Sequence, residues 1–356
     1  MSTNKWECIF QSADTLFFAR NNSEQVVISD GATYVREYSK EHVSGCAYNG
    51  NILWLSMEDS NVLIAVDSED HEESIPVPDY ETARILKMTS GQDSVLVLEV
   101  SRAKDLSLLL FDCKTGQIVC ILPICESFID TVITGANTAF LLCEETRRVL
   151  PRYMDELPDE EVLFWAEFTW DPISKESRIT RKITLYIDHN YETDWGTDFE
   201  TVLYSDGLRF PLFDQYLYDW LVQESFSPDG KYVVYYCNDI HGIIIGNPEG
   251  GYVYRIFSLP KDVANPENEF YFNGKTGRLV TVTEDNCIKQ YDIRCASTEA
   301  IDRLNAMYDQ AYRERINLSG RRNKENIEFK NTLYQAIGSC SCVPAGSFGV
   351  TEEGNI

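Results

Sequence analysis

A weak internal repeat constrains the fold of this chain more than any other feature of its sequence. Short runs of alternating apolar residues end repeatedly in a small or aromatic residue, followed by Asp or Asn and then by a polar turn. Seven such markers occur, 35 to 59 residues apart: Asp30, Asp67, Asp112, Asp171, Asp206, Asn247 and Asp292. Because Asp and Asn side chains accept hydrogen bonds from nearby backbone amides, each marker predicts a tight turn at the end of a strand.

The spacing of the markers predicts how the strands are grouped. Four strands of five or six residues with their turns need about forty residues. One such sheet cannot bury both of its faces, whereas in a ring of sheets each one covers its neighbours. We therefore predict an all-β fold, a β-propeller of about seven four-stranded blades. Residues 43–80 and 83–126 fit one blade each, residues 146–161 form an insertion, and residues 185–215 fit worst, so that six blades is the alternative.

Part of the chain resembles a known family. The sequence Phe-Ser-Pro-Asp-Gly-Lys at 226–231 resembles the turn between the first two strands of a WD-repeat blade. Two dipeptides resemble the Trp-Asp step that closes the third strand of such a blade: Trp170-Asp171 and Tyr291-Asp292. The chain is thus similar to WD-repeat propellers, with a specific match only in about residues 217–297. This resemblance implies a protein-binding scaffold, a class that usually has no catalysis of its own.

The charge of the chain bears on its partners. The net charge is −26, from 31 Lys and Arg against 57 Asp and Glu. Residues 1–298 carry −25 of it (24 basic, 49 acidic), and residues 299–356 carry −1 (7 basic, 8 acidic). Such a surface repels phosphate backbones and anionic lipid heads. We therefore expect no direct binding of nucleic acid or membrane, and a protein partner with a basic face.

The cysteines and the N-terminal residues bear on the compartment. There are 11 cysteines without regular spacing. Most lie in apolar runs typical of strands: Cys8, Cys46, Cys113, Cys120, Cys125, Cys143 and Cys237. We interpret these as buried thiols in a reducing cytoplasm. The first residues do not read as a signal peptide, and without a run of 18 apolar residues no membrane span is predicted. The pair Cys340 and Cys342 has no second Cys or His pair near it, which disfavours a zinc site.

A helical extension is predicted after Arg294, where the strand pattern stops. Ser297 or Thr298 is a good helix cap. Apolar residues then recur at steps of three and four, which indicates one amphipathic face: Ile301, Leu304, Met307, Tyr308, Ala311 and Tyr312. A second helix is predicted over 323–337. The resulting division is a propeller over 1–297, a helical extension over 298–337 and a loop-like tail over 338–356.

Two questions about the extension stay open in the sequence. The helices either pack on the ring, or they bind a partner through a set of basic residues: Arg313, Arg315, Arg321 and Arg322. The last marker also leaves too little chain for a fourth strand before the first helix. The ring is therefore closed either by the first strand, near residues 6–9, or by a late segment, near residues 342–350.

Motifs of catalysis and metal binding are largely missing. The four histidines form no helical zinc pair, and neither a nucleophile elbow nor a phosphate-binding loop occurs. One acidic segment, 188–200, reads as an exposed loop. It supplies weak metal candidates, Asp188, Asp194 and Asp198, although its spacing does not match a calcium loop. Because Trp and Tyr dominate interface hot spots, the candidate anchors for a partner are Tyr191, Trp195, Tyr216 and Tyr218.

The leading functional hypothesis is a non-enzymatic scaffold, or a subunit of a larger cytoplasmic assembly. It binds a protein through the loops at 146–161 and 186–200 and through the C-terminal helices, and no cofactor is expected. The first alternative is a divalent-metal-dependent enzyme or small-ligand-binding propeller with its acidic site near 188–200. The second alternative is a sensor subunit of a regulatory or defence complex.

Overall fold

A computed structural model shows a six-bladed β-propeller with two helices near its C-terminus. The structure describes the following residues: 6–11, 16–21, 24–48, 50–78, 84–90, 95–102, 105–122, 127–135, 137–147, 160–188, 190–193, 196–199, 221–227, 230–237, 240–247, 252–265, 267–314 and 324–349. Each blade contains four antiparallel strands, the fourth of which lies at a sheet edge, and the first strands of blades 1 and 3 also pair in parallel at Phe10 and Ser90.

The first three blades follow each other closely along the chain. Blade 1 contains β1 (Trp6–Gln11), β2 (Leu16–Asn21), β3 (Gln25–Ser29) and β4 (Tyr34–Ser39). Blade 2 contains β5 (Val43–Tyr48), β6 (Leu53–Met57), β7 (Val62–Val66) and β8 (Glu72–Pro76). Blade 3 contains β9 (Arg84–Ser90), β10 (Val95–Arg102), β11 (Asp105–Asp112) and β12 (Gln117–Leu122). The predicted limits of the second and third blades are confirmed.

The other three blades include the longest strands and the chain terminus. Blade 4 contains β13 (Ser127–Gly135), β14 (Thr138–Arg147), β15 (Glu160–Trp170) and β16 (Ser177–Asp188). A separate hairpin follows, β17 (Asn190–Thr193) with β18 (Gly196–Phe199). Blade 5 contains β19 (Leu221–Phe226), β20 (Val233–Cys237), β21 (Gly242–Gly246) and β22 (Val253–Ser258). Blade 6 contains β23 (Glu269–Asn273), β24 (Arg278–Val282), β25 (Cys287–Cys295) and β26 (Cys340–Gly349).

The marker residues stand where the repeat predicts them, at the turn between the third and fourth strands. The Asp30 carboxylate accepts hydrogen bonds from the amides of Ala32 (2.9 Å) and Thr33 (2.6 Å). Asp67, Asp112, Asp171 and Asn247 accept equivalent amide bonds in blades 2 to 5. These bonds lower the pKa of the Asp67 and Asp171 carboxyls. Asp206 lies outside the described residues, and Asp292 lies inside β25, where it pairs with Arg278 at 3.1 Å.

Of the three segments that resemble a WD-repeat blade, the structure places two as the resemblance implies, whereas Tyr291-Asp292 lies inside β25 and does not close it. The turn at 226–231 does join the first two strands of blade 5, with the Gly230 amide donating to the Ser227 carbonyl at 2.8 Å. Gly230 has φ +65°, a conformation that glycine adopts without strain. Trp170 ends β15, the third strand of blade 4, so that Trp170-Asp171 closes this strand as predicted.

The long interval before Asp171 is partly explained by longer strands. Thr146 and Glu161, predicted to lie in an insertion, face each other as partners of the β14–β15 ladder. Residues 148–159 lie outside the described part. Of the poorly fitting residues 185–215, the structure describes the end of β16 and the β17–β18 hairpin. Within the residues that the structure describes, the ring has six blades, the lower of the two predicted counts.

The ring is closed by the late segment and not by the first strand. β26 pairs antiparallel with β25 and supplies the fourth strand of blade 6, so the prediction of a loop-like tail is wrong for residues 340–349. Blade 6 then packs on blade 1: the rings of Phe348 and Trp6 are 5.6 Å apart. The Trp6 amide also donates to the Asn286 side chain at 2.8 Å. The two ends of the propeller are thus tied together.

The core lies between neighbouring blades. One cluster joins blades 1 and 2, another joins blades 2 and 3, and a third joins blades 3 and 4. Phe140 of blade 4 stacks on Phe226 of blade 5 at 5.9 Å between ring centroids. Because each blade is covered by its neighbours, the sheets can be apolar on both faces, which is why the third strands read as continuous apolar runs.

Two helices connect β25 to β26. α1 spans Glu299–Glu314 and α2 spans Lys324–Ser339, in agreement with the predicted positions. The Ser297 hydroxyl accepts from the Glu299 amide at 3.1 Å, as a helix cap does. Within the described part of the chain, no helix combines the length and the apolar character needed to cross a membrane.

Candidate protein-binding surface on the helical extension

The inner side of α1 is part of the propeller core. Ile301, Leu304 and Tyr308 are fully buried in the cluster that also holds the side chains of blades 5 and 6. Tyr308 packs against Phe329 of α2, with the ring centroids 5.8 Å apart. Burial raises the pKa of the Tyr308 hydroxyl, so it remains protonated at neutral pH. The sequence alternative in which the helices pack on the ring is therefore correct for this side of α1.

One side chain of α1 covers the edge of blade 5. The Asn305 amide nitrogen donates to the Val253 carbonyl at 2.9 Å, and the Asn305 oxygen accepts from the Val253 amide at 2.8 Å. Both groups are buried. A strand edge normally presents unpaired backbone groups to solvent or to another strand. The Asn305 side chain satisfies these groups on β22 in the way that a fifth strand would.

The inner side of α2 continues this packing. Phe329, Leu333 and Ala336 are buried in the same cluster as α1. Arg303 of α1 pairs with Glu328 of α2 at 2.8 Å, but both side chains are about half exposed, so this ion pair contributes little stability. The apolar contacts therefore hold α2 in place.

The opposite side of α2 is exposed and carries two large apolar residues. Ile327 and Tyr334 have 61% and 69% of their surface accessible. They are seven positions apart, so they lie on one face of the helix, together with exposed Asn331 and Gly338. We call these four residues the outer face of α2. A helix of this kind is usually apolar only towards the core, so the two exposed apolar residues are candidate contacts for another molecule.

A disulfide fixes the point where α2 becomes β26. Cys295 and Cys340 are opposite each other in the β25–β26 ladder and form a disulfide. The bond spans 45 residues of sequence and encloses both helices. The sequence interpretation of cysteines as thiols does not extend to this pair, and Cys340 is not available as a zinc ligand. Burial raises the pKa of the neighbouring Cys342 thiol to about 12.

The other described cysteines favour structural over chemical roles. Cys46, Cys113, Cys120 and Cys237 are buried and form no disulfide, as the sequence predicts. Burial raises the pKa of Cys46 to about 12 and that of Cys120 to about 11, so these thiols are protonated and weakly nucleophilic at neutral pH. Among the residues that the structure describes, no three His, Cys, Asp or Glu side chains come together as metal ligands would.

The structure locates only some of the residues predicted to form sites. Arg313 lies at the end of α1, where it is exposed and 3.7 Å from Asp309 of the same helix. Tyr191 and Asp198 are opposite each other in the β17–β18 ladder, and Asp188 ends β16, but their side chains lie outside the described part. The remaining candidates also lie outside it: Asp194, Trp195, Tyr216, Tyr218, Arg315, Arg321 and Arg322. Their roles stay predictions.

Ile327 and Tyr334 are not among the site residues that the sequence predicts. A local signal for them does exist. On a helix of 3.6 residues per turn, Ile327 and Tyr334 fall on one side, and Phe329, Leu333 and Ala336 fall on the opposite side. Apolar residues on two opposite sides of a helix indicate two contacts. The sequence alone does not reveal which side the propeller covers.

Comparisons with known proteins find likeness in fold only. No family model matches the sequence, and no curated protein matches it. A solved structure of Kuenenia stuttgartiensis hydrazine synthase is 15% identical, covering 98% of this chain and 90% of its own, with a TM-score of 0.46. The β-propeller domain of Myceliophteria thermophila Cps50 (Swd1) is 13% identical over 82% of this chain and 98% of its own, with a TM-score of 0.44.

A third solved structure gives a similar result. Kluyveromyces marxianus Hsv2 is 10% identical over 83% of this chain and 94% of its own, with a TM-score of 0.42. These overlaps are too loose for an argument about function. The fold itself rests on the six blades described above.

Proposed function

We propose that this protein is a non-enzymatic scaffold, or a subunit of a larger assembly, and that a protein partner contacts the outer face of α2. The observation that carries the proposal is the exposure of Ile327 and Tyr334 on a helix whose other side is fixed in the core. A buried Phe329 on the inner side means that α2 is already ordered before a partner binds. Preordered side chains lose less entropy on binding, which favours affinity.

The chemistry of the outer face suits a protein and not a small molecule. The face is convex, since it is the outside of a helix, whereas small-molecule sites are concave. Tyrosine is enriched at interface hot spots because it combines apolar area with a hydrogen-bonding hydroxyl. Lys330 and Gln335 are exposed beside the face and provide a polar rim.

The test compares a variant of this face with a matched control. Ile327→Ser with Tyr334→Ser removes the two apolar contacts, and Val35→Ser with Tyr252→Ser removes another exposed aliphatic and tyrosine pair elsewhere. Each is used to capture partners from native cytosol, read by mass spectrometry, and then titrated with the captured protein in pure form. We expect the first variant to weaken binding by about 2 kcal/mol or more and the control to leave it unchanged. Equal affinities of the parent protein and both variants would refute the proposal.

Point variants are required because truncation at residue 298 is not a clean test. Such a truncation removes both helices and also β26, the fourth strand of blade 6. It would therefore unpair β25 and separate Phe348 from Trp6. A loss of binding in that protein would not distinguish a lost contact from a damaged ring.

The second candidate function is a divalent-metal-dependent enzyme or a small-ligand-binding propeller. It depends on carboxylates near 188–200, whose side chains lie outside the described residues. A ligand that binds the native state raises the melting temperature. A titration with calcium and magnesium that raises it, and does not do so after Asp194→Asn with Asp198→Asn, would support a metal site. The sensor hypothesis shares the binding physics of the scaffold and is tested by the identity of the captured partner.

We place this function in the cytoplasm. The buried free thiols Cys46, Cys113, Cys120 and Cys237 favour a reducing compartment, while the Cys295–Cys340 disulfide is the described feature that favours an oxidising one. Trapping the thiols with an alkylating agent at the moment of cell lysis, followed by mass spectrometry, measures the redox state of this pair. A reduced pair supports the cytoplasmic assignment, and a fully oxidised pair contradicts it.

A further inference from the structure

The edge strands of the blades differ in how their outer sides are protected. An edge strand exposes unpaired backbone groups, and proteins commonly block it with proline, charge, a bulge or a cover. β8 ends in Pro76 and begins with Glu72 and Glu73. β26 contains Pro344 next to a bulge in its pairing with β25. Proline has no amide hydrogen to donate, so both strands are poor templates for another strand.

Three further edge strands are engaged by neighbouring elements. β22 is covered by the Asn305 side chain. On β12, the Ile121 carbonyl accepts a hydrogen bond from the Ser177 hydroxyl of blade 4 at 2.7 Å. From β4, the Arg36 guanidinium reaches the Val66 carbonyl of blade 2 at 3.2 Å. Each of these strands therefore makes a specific contact beyond its own sheet.

β16 of blade 4 supplies Ser177 for the contact with β12 but is otherwise less protected. It is 12 residues long, it contains no proline, and in the described part no strand or helix pairs with its outer side. Arg178, Ile179 and Thr180 are consecutive and all exposed, so both faces of the strand reach solvent there. Thr180 is the extra residue of a bulge, and its hydroxyl donates back to the Glu167 carbonyl at 3.1 Å. Bulges at sheet edges often redirect side chains near binding sites.

Apolar and basic residues are combined along this edge. Ile179 is 47% exposed, and Ile173 in the preceding turn is 90% exposed. The Ser177 bond brings β12 alongside, where Ile121 is also half-exposed. The stretch 175–182 has four basic residues and one acidic residue, in a chain whose net charge is −26. Lys175 and Arg178 are both exposed. The sequence of this edge is thus locally basic on an acidic molecule, although Asp171 and Glu176 are also exposed beside it.

We propose that the outer edge of β16 binds an extended, acidic segment of a partner protein, which adds to blade 4 as a further strand. The open backbone edge supplies main-chain pairing, Ile179 and Ile173 supply apolar contacts, and Lys175 and Arg178 select for carboxylates. A second copy of β16 is disfavoured as the occupant, because like charges would face each other. This inference uses a surface separate from α2 and goes beyond the proposed function.

The probe is a fluorescein-labelled octapeptide of alternating Glu and Val, titrated with the full chain and followed by anisotropy. An octapeptide of alternating Lys and Val tests charge, and a Glu-Val octapeptide methylated on alternate backbone nitrogens tests main-chain pairing. We expect only the unmethylated Glu-Val peptide to bind. Lys175→Glu with Arg178→Glu should weaken it about tenfold or more, and added salt should weaken it as well.

Controls separate this site from the rest of the molecule. Lys261→Glu with Lys330→Glu makes the same charge change at exposed positions elsewhere and should change the dissociation constant less than twofold. The Ile327→Ser, Tyr334→Ser variant should bind the peptide normally, so that failure here and failure of the α2 proposal are distinguishable. The inference is overturned if the Glu-Val peptide does not bind, if the Lys-Val or methylated peptide binds as tightly, or if charge reversal has no effect.

Discussion

Blades 5 and 4 present their outer edges in opposite ways. The edge of blade 5 is covered by α1 and α2, with Asn305 bonded to both backbone groups of Val253. The edge of blade 4 is β16, whose exposed side includes Arg178 and Ile179. The same chain therefore uses its own helices to close one edge, whereas in its described part no strand or helix pairs with the outer side of the other. The covered edge contributes to stability, while the open edge is available to a partner at little cost to the fold.

This contrast makes predictions about stability that can be ranked. Residues between the helices and blade 5 should affect the free energy of unfolding strongly, and residues on the open edge or on the outer face of α2 should barely affect it. The expected change in the free energy of unfolding decreases from a substitution at a core aromatic residue to one at an exposed isoleucine. An effect of similar size at all positions would mean that the two edges are not different in kind.

The largest effect is expected from Phe329→Ala. Phe329 is buried between α2 and the propeller, in contact with Tyr308. Removing a buried aromatic ring costs transfer free energy and leaves a cavity, about 3 to 5 kcal/mol in all. Equilibrium unfolding in urea, analysed at constant slope, measures the change. Tyr334→Ala on the opposite side of the same helix is the control, expected within about 0.5 kcal/mol. Equal losses for the two variants would contradict the orientation of α2.

The next effect is expected from the Cys295–Cys340 disulfide. The bond closes a 45-residue loop that contains both helices and ties β26 to β25. Removing a disulfide that closes a loop of this size destabilises a protein by about 2 to 4 kcal/mol, chiefly by restoring freedom to the unfolded chain. The double variant Cys295→Ser with Cys340→Ser, compared with the oxidised parent in urea, measures this. A parent that loses the same stability on addition of a reductant confirms that the bond is the cause.

A smaller effect is expected at Asn305. Asn305→Leu keeps the approximate volume but leaves the Val253 amide and carbonyl buried without these partners. An unsatisfied buried polar group costs about 1 to 3 kcal/mol. Asn305→Asp keeps the acceptor and loses the donor, so its effect at neutral pH tests whether both bonds matter. If Asn305→Leu were as stable as the parent protein, the covering of the β22 edge by this side chain would be disproved.

Local signals in the sequence predict the blades well, because the turns that end their strands are local. The Asp30 side chain finds its partners at Ala32 and Thr33, two and three residues away, so the residue type reveals the turn. Asn305 and Val253 are 52 residues apart, and no local sequence pattern near either residue predicts the pairing. Asn305 does not appear among the candidate residues for this reason, although the amphipathic pattern around it correctly places α1.

The same reason explains the errors about the C-terminal residues. Cys340 and Cys342 lie in a Gly- and Ser-rich stretch that reads as loop, yet β26 forms there because β25 offers an unpaired edge. The disulfide follows from that pairing, since Cys295 becomes the register partner of Cys340. Tertiary context overrides weak local preference in such a strand. The incomplete last blade predicts that either the first strand or a late segment completes it, but neither which of the two nor the register.

The smallest change in stability is expected from Ile179→Thr. This variant is also the sharpest test of the difference between the edges of blades 4 and 5. Ile179 is nearly half exposed on β16, so its loss removes little buried area, and threonine keeps the branched side chain that strands favour. The free energy of unfolding should change by no more than about 0.5 kcal/mol. The affinity for the acidic Glu-Val peptide should nevertheless fall, because an apolar contact at the bound strand is lost. A variant that is clearly destabilised but binds normally would show that this edge, like that of blade 5, serves the fold.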